Sequence, residues 1–305
     1  MIQELDSVRI HFDTSNLWIL NIALAIVMFG VALGVSISDF KSLFKAPKVL
    51  FVGLLSQFIL LPLITYGFIL IVNPQPSIAL GMIMVAACPG GNISNFITHV
   101  AGGNTALSVS LTAFSTFIAI IMTPFNFEFY GNLYQPTAVL LQDISLNPFD
   151  MFKIVLLILG IPLVCGMLVR YKYPNFAGRL SNWLKPFSII VFIGIVIIAL
   201  TNNLDIFYEY IHHVFLLGIG HNLLAFGLGF LVARIFKLSF ENKKTLIIET
   251  GIQNSGIGLL LIFTFFNGLG GMAIMAAFWG IWHIVSGLLL AHYWSLKHIL
   301  KTQRV

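Results

Sequence analysis

The sequence predicts an all-α membrane protein with nine transmembrane helices, and three observations carry that expectation. Of 305 residues, 58% are apolar and 9% charged, against roughly 45–50% and about 25% in a soluble domain. Apolar runs of about 20 residues, the length that crosses about 30 Å of hydrocarbon at 1.5 Å per residue, recur from one end to the other and leave no room for a soluble domain. The basic residues between the runs alternate in density, as topology signals do.

Taken in order, the first span covers 17–37 and is followed by the basic segment that holds Lys41, Lys45 and Lys48. The second covers 49–72. The third (77–101) and fourth (104–125) lie in one charge-free run from Ser77 to Phe127, too long for a single crossing and cut by Gly102-Gly103. The fifth (151–169) ends at Arg170 and Lys172, and the sixth (186–204) follows Arg179 and Lys185. The seventh (211–233) ends at Arg234. The eighth (245–266) follows Lys243 and Lys244, and the ninth (270–296) precedes Lys297. "SDF" at 38–40 reads as a cap and turn after the first span. The N-terminus has acids and no basic cluster before a short apolar core, unlike a cleaved signal peptide.

If the first span runs outside to inside, all but Arg9 and Lys153 of the 16 basic residues fall on the cytoplasmic side. That split puts the N-terminus outside and the C-terminus inside, with basic loops facing anionic headgroups; a plasma (inner) membrane is the expected location. It accounts for the net charge of +5 without a nucleic-acid partner. Cys88 and Cys165 lie in apolar spans and read as small buried hydrophobes. The acids fall in loops, except Glu249. A carboxylate at membrane depth costs a few kcal/mol and is by default functional, unless it sits near enough to the inner end of its span to reach the interface.

Two spans carry their own interruption. "CPGGNISN" (88–95) puts proline, two glycines and Asn92, Ser94 and Asn95 at membrane depth, and "ETGIQNSGIG" (249–258) does the same in the eighth span. Proline removes a donor and glycine weakens a helix interior, so both helices break midway. The bilayer tolerates such breaks only where protein or a polar cavity satisfies the freed backbone. The two spans are five crossings apart, an odd number, so similar halves holding them would insert with opposite orientation: an inverted repeat with its binding site near the midplane. Two unrelated kinked helices are the other reading of the same spacing.

The polar groups on offer at that depth are Gln57, Asn92, Ser94, Asn95, Ser108, Thr112, Glu249, Gln253 and Asn254. One carboxylate among neutral oxygens suits a hard monovalent cation, with sodium the natural candidate, rather than a softer metal. Ser108 and Thr112 share a helical face and can both meet the third span; each could instead bond its own i−4 carbonyl. No HExxH motif and no nucleophile with a base partner is present, so the chain is not read as an enzyme.

These residues resemble a known family. From "MFGVALGVSISDFKSLFKAPK" through "CPGGNISN", "ALSVSLTAFST" and "GHNLLAFGLGF" to "IETGIQNSGIG" and "WHIVSGLLLAHYW", nearly the whole chain is similar to the bile acid:sodium symporter family. The resemblance implies a core domain with two crossed broken helices (47–125 and 211–296) and a panel domain (17–37 and 151–204), between an extracytoplasmic N-terminus (1–16) and a cytoplasmic tail (297–305). It implies two sodium sites: Ser94, Asn95, Ser108, Thr112 and Glu249 at one; Gln57, Gln253, Glu249 and the carbonyls of Thr250 and Ile252 at the other. It implies a small organic anion as substrate, such as a bile acid, pantoate or a related carboxylate or sulphate; Asn92 and Asn254, each at the broken helix of its own half, are the expected contacts, with His283 a third unless it is a hydrogen-bonded structural histidine. Ile284 departs from the family, whose members often carry a polar residue there.

The function expected is therefore sodium-coupled symport of an organic anion by alternating access, with two Na+ as coupling ions and the bilayer as surroundings. No obligatory protein partner is evident. A proton-coupled carrier or antiporter of related fold, in which Glu249 titrates, is the alternative. His221-Asn222 reads as core packing, and His212-His213 as a solvated pair at an outer loop.

Overall fold

The computed structural model describes residues 4–10, 17–34, 47–144, 148–201 and 203–302. Among them the chain is helical, with two isolated β-bridges and no strand. After a single helical turn at Glu4–Ser7, the helices are α1 (Leu17–Ala32), α2 (Pro47–Val72), α3 (Pro76–Ala87), α4 (Ile93–Val100), α5 (Thr105–Leu133), α6 (Gln135–Ile144) and α7, which runs through Pro148–Val155, Leu156–Gly160 and Ile161–Lys172. They continue with α8 (Pro174–Thr201), α9 (Leu204–Ile235), α10 (Phe240–Gly251), α11 (Ser255–Phe265) and α12 (Gly270–Thr302). Five of the described helices are long and apolar enough to cross a membrane, the rods that begin at Pro47, Thr105, Phe149, Leu204 and Gly270.

Both expected breaks are present. The third span divides into α3 and α4, the eighth into α10 and α11. Gly102, at φ +63°, turns the chain between α4 and α5 as the Gly-Gly pair implies. Other expectations need correction. α5 runs eight residues past 125 and is followed at once by α6, because Pro124 is accommodated inside the helix instead of ending it. α8 begins at Pro174, twelve residues before the expected start, since its first turns carry the charged residues that a hydropathy window rejects. α9 begins at Leu204, so His212 and His213 are exposed on a helix and not in a loop. Cys165 is exposed on the apolar outside, where a thiol meets hydrocarbon as readily as a methyl would. The "SDF" turn lies outside the described residues.

The middle of α2 is π-helical over Leu55–Leu60. Pro62 has no N–H for the carbonyl of Phe58, and Asn126 Nδ2 of α5 donates to that carbonyl instead, at 2.9 Å. The π stretch of α7 ends at the same offset before Pro162. Such one-turn π segments often mark functional positions, and this one carries Ser56 and Gln57, both buried.

α3 packs against α12 and α5, and α9 against α10 and α12. α1 packs chiefly on α7 and α8. Glycines set the closest approaches: a Cβ on Gly81 would stand 2.9 Å from Met272 Cα, and one on Gly166 2.9 Å from the Phe29 carbonyl. Residues 4–10 strap one end of the bundle. Ile10 N–H donates to Gly268 O and Gly270 N–H to Val8 O, both at 2.8 Å, and Asp6 Oδ1 accepts from Ser77 N–H at 2.8 Å at the start of α3.

Candidate functional site

Where the two interruptions meet, the unwound backbones pair with each other. Gly90 and Gln253 form an antiparallel bridge: Gly91 N–H donates to Ile252 O at 3.0 Å, and Asn254 N–H to Pro89 O at 2.8 Å. Side chains from neighbouring helices take the carbonyls left over. Thr123 Oγ1 donates to Ala87 O at 2.8 Å, and Asn222 Nδ2 to Gly251 O at 2.8 Å, with Ser286 Oγ supporting Asn222 Oδ1 at 2.6 Å. Every group freed by a break in hydrocarbon needs such a partner.

Glu249 sits in the last turn of α10, beside this crossing, and is 3% exposed. It does not reach the interface. Ser94 Oγ of α4 donates to its Oε1 at 2.5 Å, Ser108 Oγ of α5 donates to the same oxygen, and Thr112 Oγ1 to Oε2 at 3.0 Å. Ser108 and Thr112 thus do not bond their own helix, whereas Ser110 and Thr116 on the same helix do. Asn95 Oδ1 completes the group, 2.8 Å from Ser108 Oγ and 3.3 Å from Thr112 Oγ1. All five residues expected at the first sodium site converge.

The cluster has more acceptors than protons. Ser108 Oγ lies within hydrogen-bond distance of Glu249 Oε1, Asn95 Oδ1 and Thr98 Oγ1 and has one proton to give. Among the described residues no cationic side chain pairs with Glu249, and the salt bridge there is Lys153–Asp150. A buried carboxylate needs a counter-charge, and surplus oxygen lone pairs are what a hard cation binds. The donor set fits sodium.

The second expected group gathers round Gly90. A Cβ there would stand 3.0 Å from Gln57 Nε2 and 3.1 Å from Glu249 Oε2, so the missing side chain leaves a cradle between them. Gln57 Nε2 donates to Gln253 Oε1 at 3.4 Å and Gln253 Nε2 to Thr250 O at 2.9 Å. The Ile252 carbonyl belongs to the crossing and keeps its second lone pair.

The expected substrate residues are less closely joined. Asn92 is half-buried in the N-cap position of α4 with no side-chain cap bond, while Asn254 Oδ1 caps α11 at Ile257 N–H. His283 is buried on α12, its Nδ1 without a hydrogen-bond partner among the described residues. His221 packs in the core as expected, its Nε2 2.7 Å from Thr65 Oγ1; its neighbour Asn222 does more, as shown above. Sequence reasoning also passed over Ser56, 2.9 Å from Thr250 Oγ1, and Thr98, fully buried beside Ser108. The i+4 spacing from Ser94 to Thr98 is the signal that could have found the latter.

The family model described as the Sodium Bile acid symporter family matches residues 21–210. The chain is 32% identical over 289 residues to a Bacillus subtilis (strain 168) protein named "Uncharacterized sodium-dependent transporter YocS", covering 94% of this chain and 87% of that one. The human "Ileal sodium/bile acid cotransporter" is 33% identical over 241 residues, 78% of this chain and 66% of its own length. The Arabidopsis thaliana "Probable sodium/metabolite cotransporter BASS1, chloroplastic" is 30% identical over 275 residues, 90% and 66%. All three names describe transporters rather than enzymes.

Proposed function

The chain belongs to the sodium bile acid symporter family, and from that premise we propose that it carries a small organic anion inward with sodium, holding two Na+ around Glu249. The observation that carries the reading is the convergence of Ser94, Asn95, Ser108 and Thr112 on one buried carboxylate with no cationic partner among the described residues. Ser94, Asn95, Ser108 and Thr112 hold the first ion. Gln57, Gln253 and the carbonyls of Thr250 and Ile252 hold the second across the Gly90 cradle, with Glu249 common to both. Two Na+ and one carboxylate leave a net single positive charge, which a monovalent carboxylate or sulphate cancels. Asn92, Asn254 and His283 face that anion.

Sodium draws α4, α5 and α10 together and so favours the crossing that the anion needs; by linkage the anion strengthens sodium binding by the same factor. The nine crossings, with the N-terminus outside and the C-terminus cytoplasmic, rest on the charge alternation, and the inverted repeat rests on the odd spacing of the two broken spans. The packing of α1 on α7 and α8 supports a panel against which the other helices move as a core. Purified protein in liposomes, given radiolabelled bile acid, pantoate and small keto acids in turn, tests the reading. Uptake in sodium and none in potassium at fixed pH is expected. Uptake driven equally in potassium by a proton gradient would replace it with the proton-coupled alternative.

A further inference from the structure

The oxygen lining does not stop at Glu249. Thr98, one turn beyond Ser94, is fully buried and its Oγ1 is 3.3 Å from Ser108 Oγ. Next comes Gly103, whose N–H donates to Thr98 O at 2.9 Å. A Cβ on Gly103 would stand 2.8 Å from Thr98 Cγ2, 3.1 Å from Thr245 Oγ1 and 3.3 Å from Thr98 O, so the bare glycine keeps open the space between the methyl and main-chain carbonyl of Thr98 on α4 and the hydroxyl of Thr245 on α10. Beyond it Asn104 N–H donates to Thr245 Oγ1, and Asn104 Nδ2 to Asn242 Oδ1, each at 2.9 Å. Asn104 and Asn242 are half-buried, at the surface. Polar oxygens therefore step from the carboxylate to the turn between α4 and α5.

Lys244 frames the end of that line. It is 4% exposed, its Nζ donates to Ala101 O at 2.6 Å, and the ammonium lies 4.7 Å from the Phe240 ring centre and 5.8 Å from that of Trp294. The expectation that Lys244 faces lipid headgroups is thus corrected: its stem packs inward, and its charge complements the C-terminal end of α4.

We propose that Thr98 and Thr245 are the inner half of the sodium route, with Gly103 as its neck and the Asn104–Asn242 bond as its gate. Lys244 is a positioning residue that holds the gate turn closed in this structure. An ion leaving a buried carboxylate needs successive oxygens to replace the ones it gives up, and among the described residues this line offers them. The proposal rests on the sodium reading of Glu249.

Sodium alone serves as the probe, in liposomes, with exchange followed by isotope and binding by the sodium-specific rise in melting temperature over potassium. Gly103→Ala is expected to keep the melting shift and its half-saturating sodium concentration within about twofold while slowing exchange about tenfold or more. Exchange at the natural rate would overturn the route. Lys244→Met is expected to speed exchange several-fold and Lys244→Arg to restore it; equal behaviour of the two would overturn the positioning role. In a Cys88→Ala, Cys165→Ala background, silver ion in nitrate medium is expected to block Thr98→Cys from the side of the 101–104 turn, and sodium to slow that block. Block from the opposite side alone would overturn the route. No sodium-specific shift in the unsubstituted protein would overturn the sodium reading together with this proposal, whereas failure of the route alone leaves that shift in place.

Discussion

Ser108 and Glu249, 141 residues apart in the chain, meet through a hydrogen bond in which the α5 hydroxyl donates to Oε1 of the α10 carboxylate. Hydrogen bonds to a charged group contribute about 1.5–3 kcal/mol, so Ser108→Ala should raise the half-saturating sodium concentration by roughly tenfold or more. Uptake measured against sodium concentration checks this. An unchanged curve would separate the contact from ion binding.

Glu249→Gln keeps the shape of the side chain and removes its charge. Sodium-dependent uptake should disappear while the protein still inserts and melts cooperatively in detergent. Retained sodium dependence would mean that the ion does not need the carboxylate.

The cradle at Gly90 can be filled with one methyl. Because its Cβ would stand 3.0 Å from Gln57 Nε2 and 3.1 Å from Glu249 Oε2, Gly90→Ala should cost sodium affinity without removing any oxygen ligand. Isothermal titration with sodium against the natural protein measures the difference, and equal affinity counts against the second ion.

Thr123→Val leaves the Ala87 carbonyl at the end of α3 without its side-chain partner. An orphaned buried acceptor costs about 1–3 kcal/mol, and the melting temperature in detergent should fall accordingly. Asn222→Ala, which frees the Gly251 carbonyl, should do the same. If neither variant melts lower, the crossing does not depend on these supports.

Much of this was legible in the sequence, for physical reasons that differ by residue. Pro89 and the glycines at 90 and 91 announce the break, because a missing donor is followed at once by two residues that weaken a helix interior, whereas Pro62 and Pro124 stand without such glycines and are carried through. Glu249 stood out since a carboxylate at membrane depth is costly, and its burial beside the crossing sets aside the alternative of a side chain that reaches the interface. Helix ends were read less well where charged turns precede the apolar stretch, as in α8, or where Pro124 is carried through a helix. The partners of the broken ends, Thr123 and Asn222, could not be read at all: a lone Thr or Asn gives no sign of which distant carbonyl it will find. Lys244 was misread for a related reason, since side-chain direction at a helix start is decided by packing and not by spacing.

The bridge between Gly90 and Gln253 has a consequence for biosynthesis. When the ribosome has delivered α3 and α4, Pro89 O and Gly91 N–H have no mate until α10 and α11 emerge. The first half must wait in the translocon's neighbourhood with its backbone hydrated or chaperoned. Maturation is then a late, cooperative event, and a chain truncated before residue 253 should be a substrate for membrane quality control.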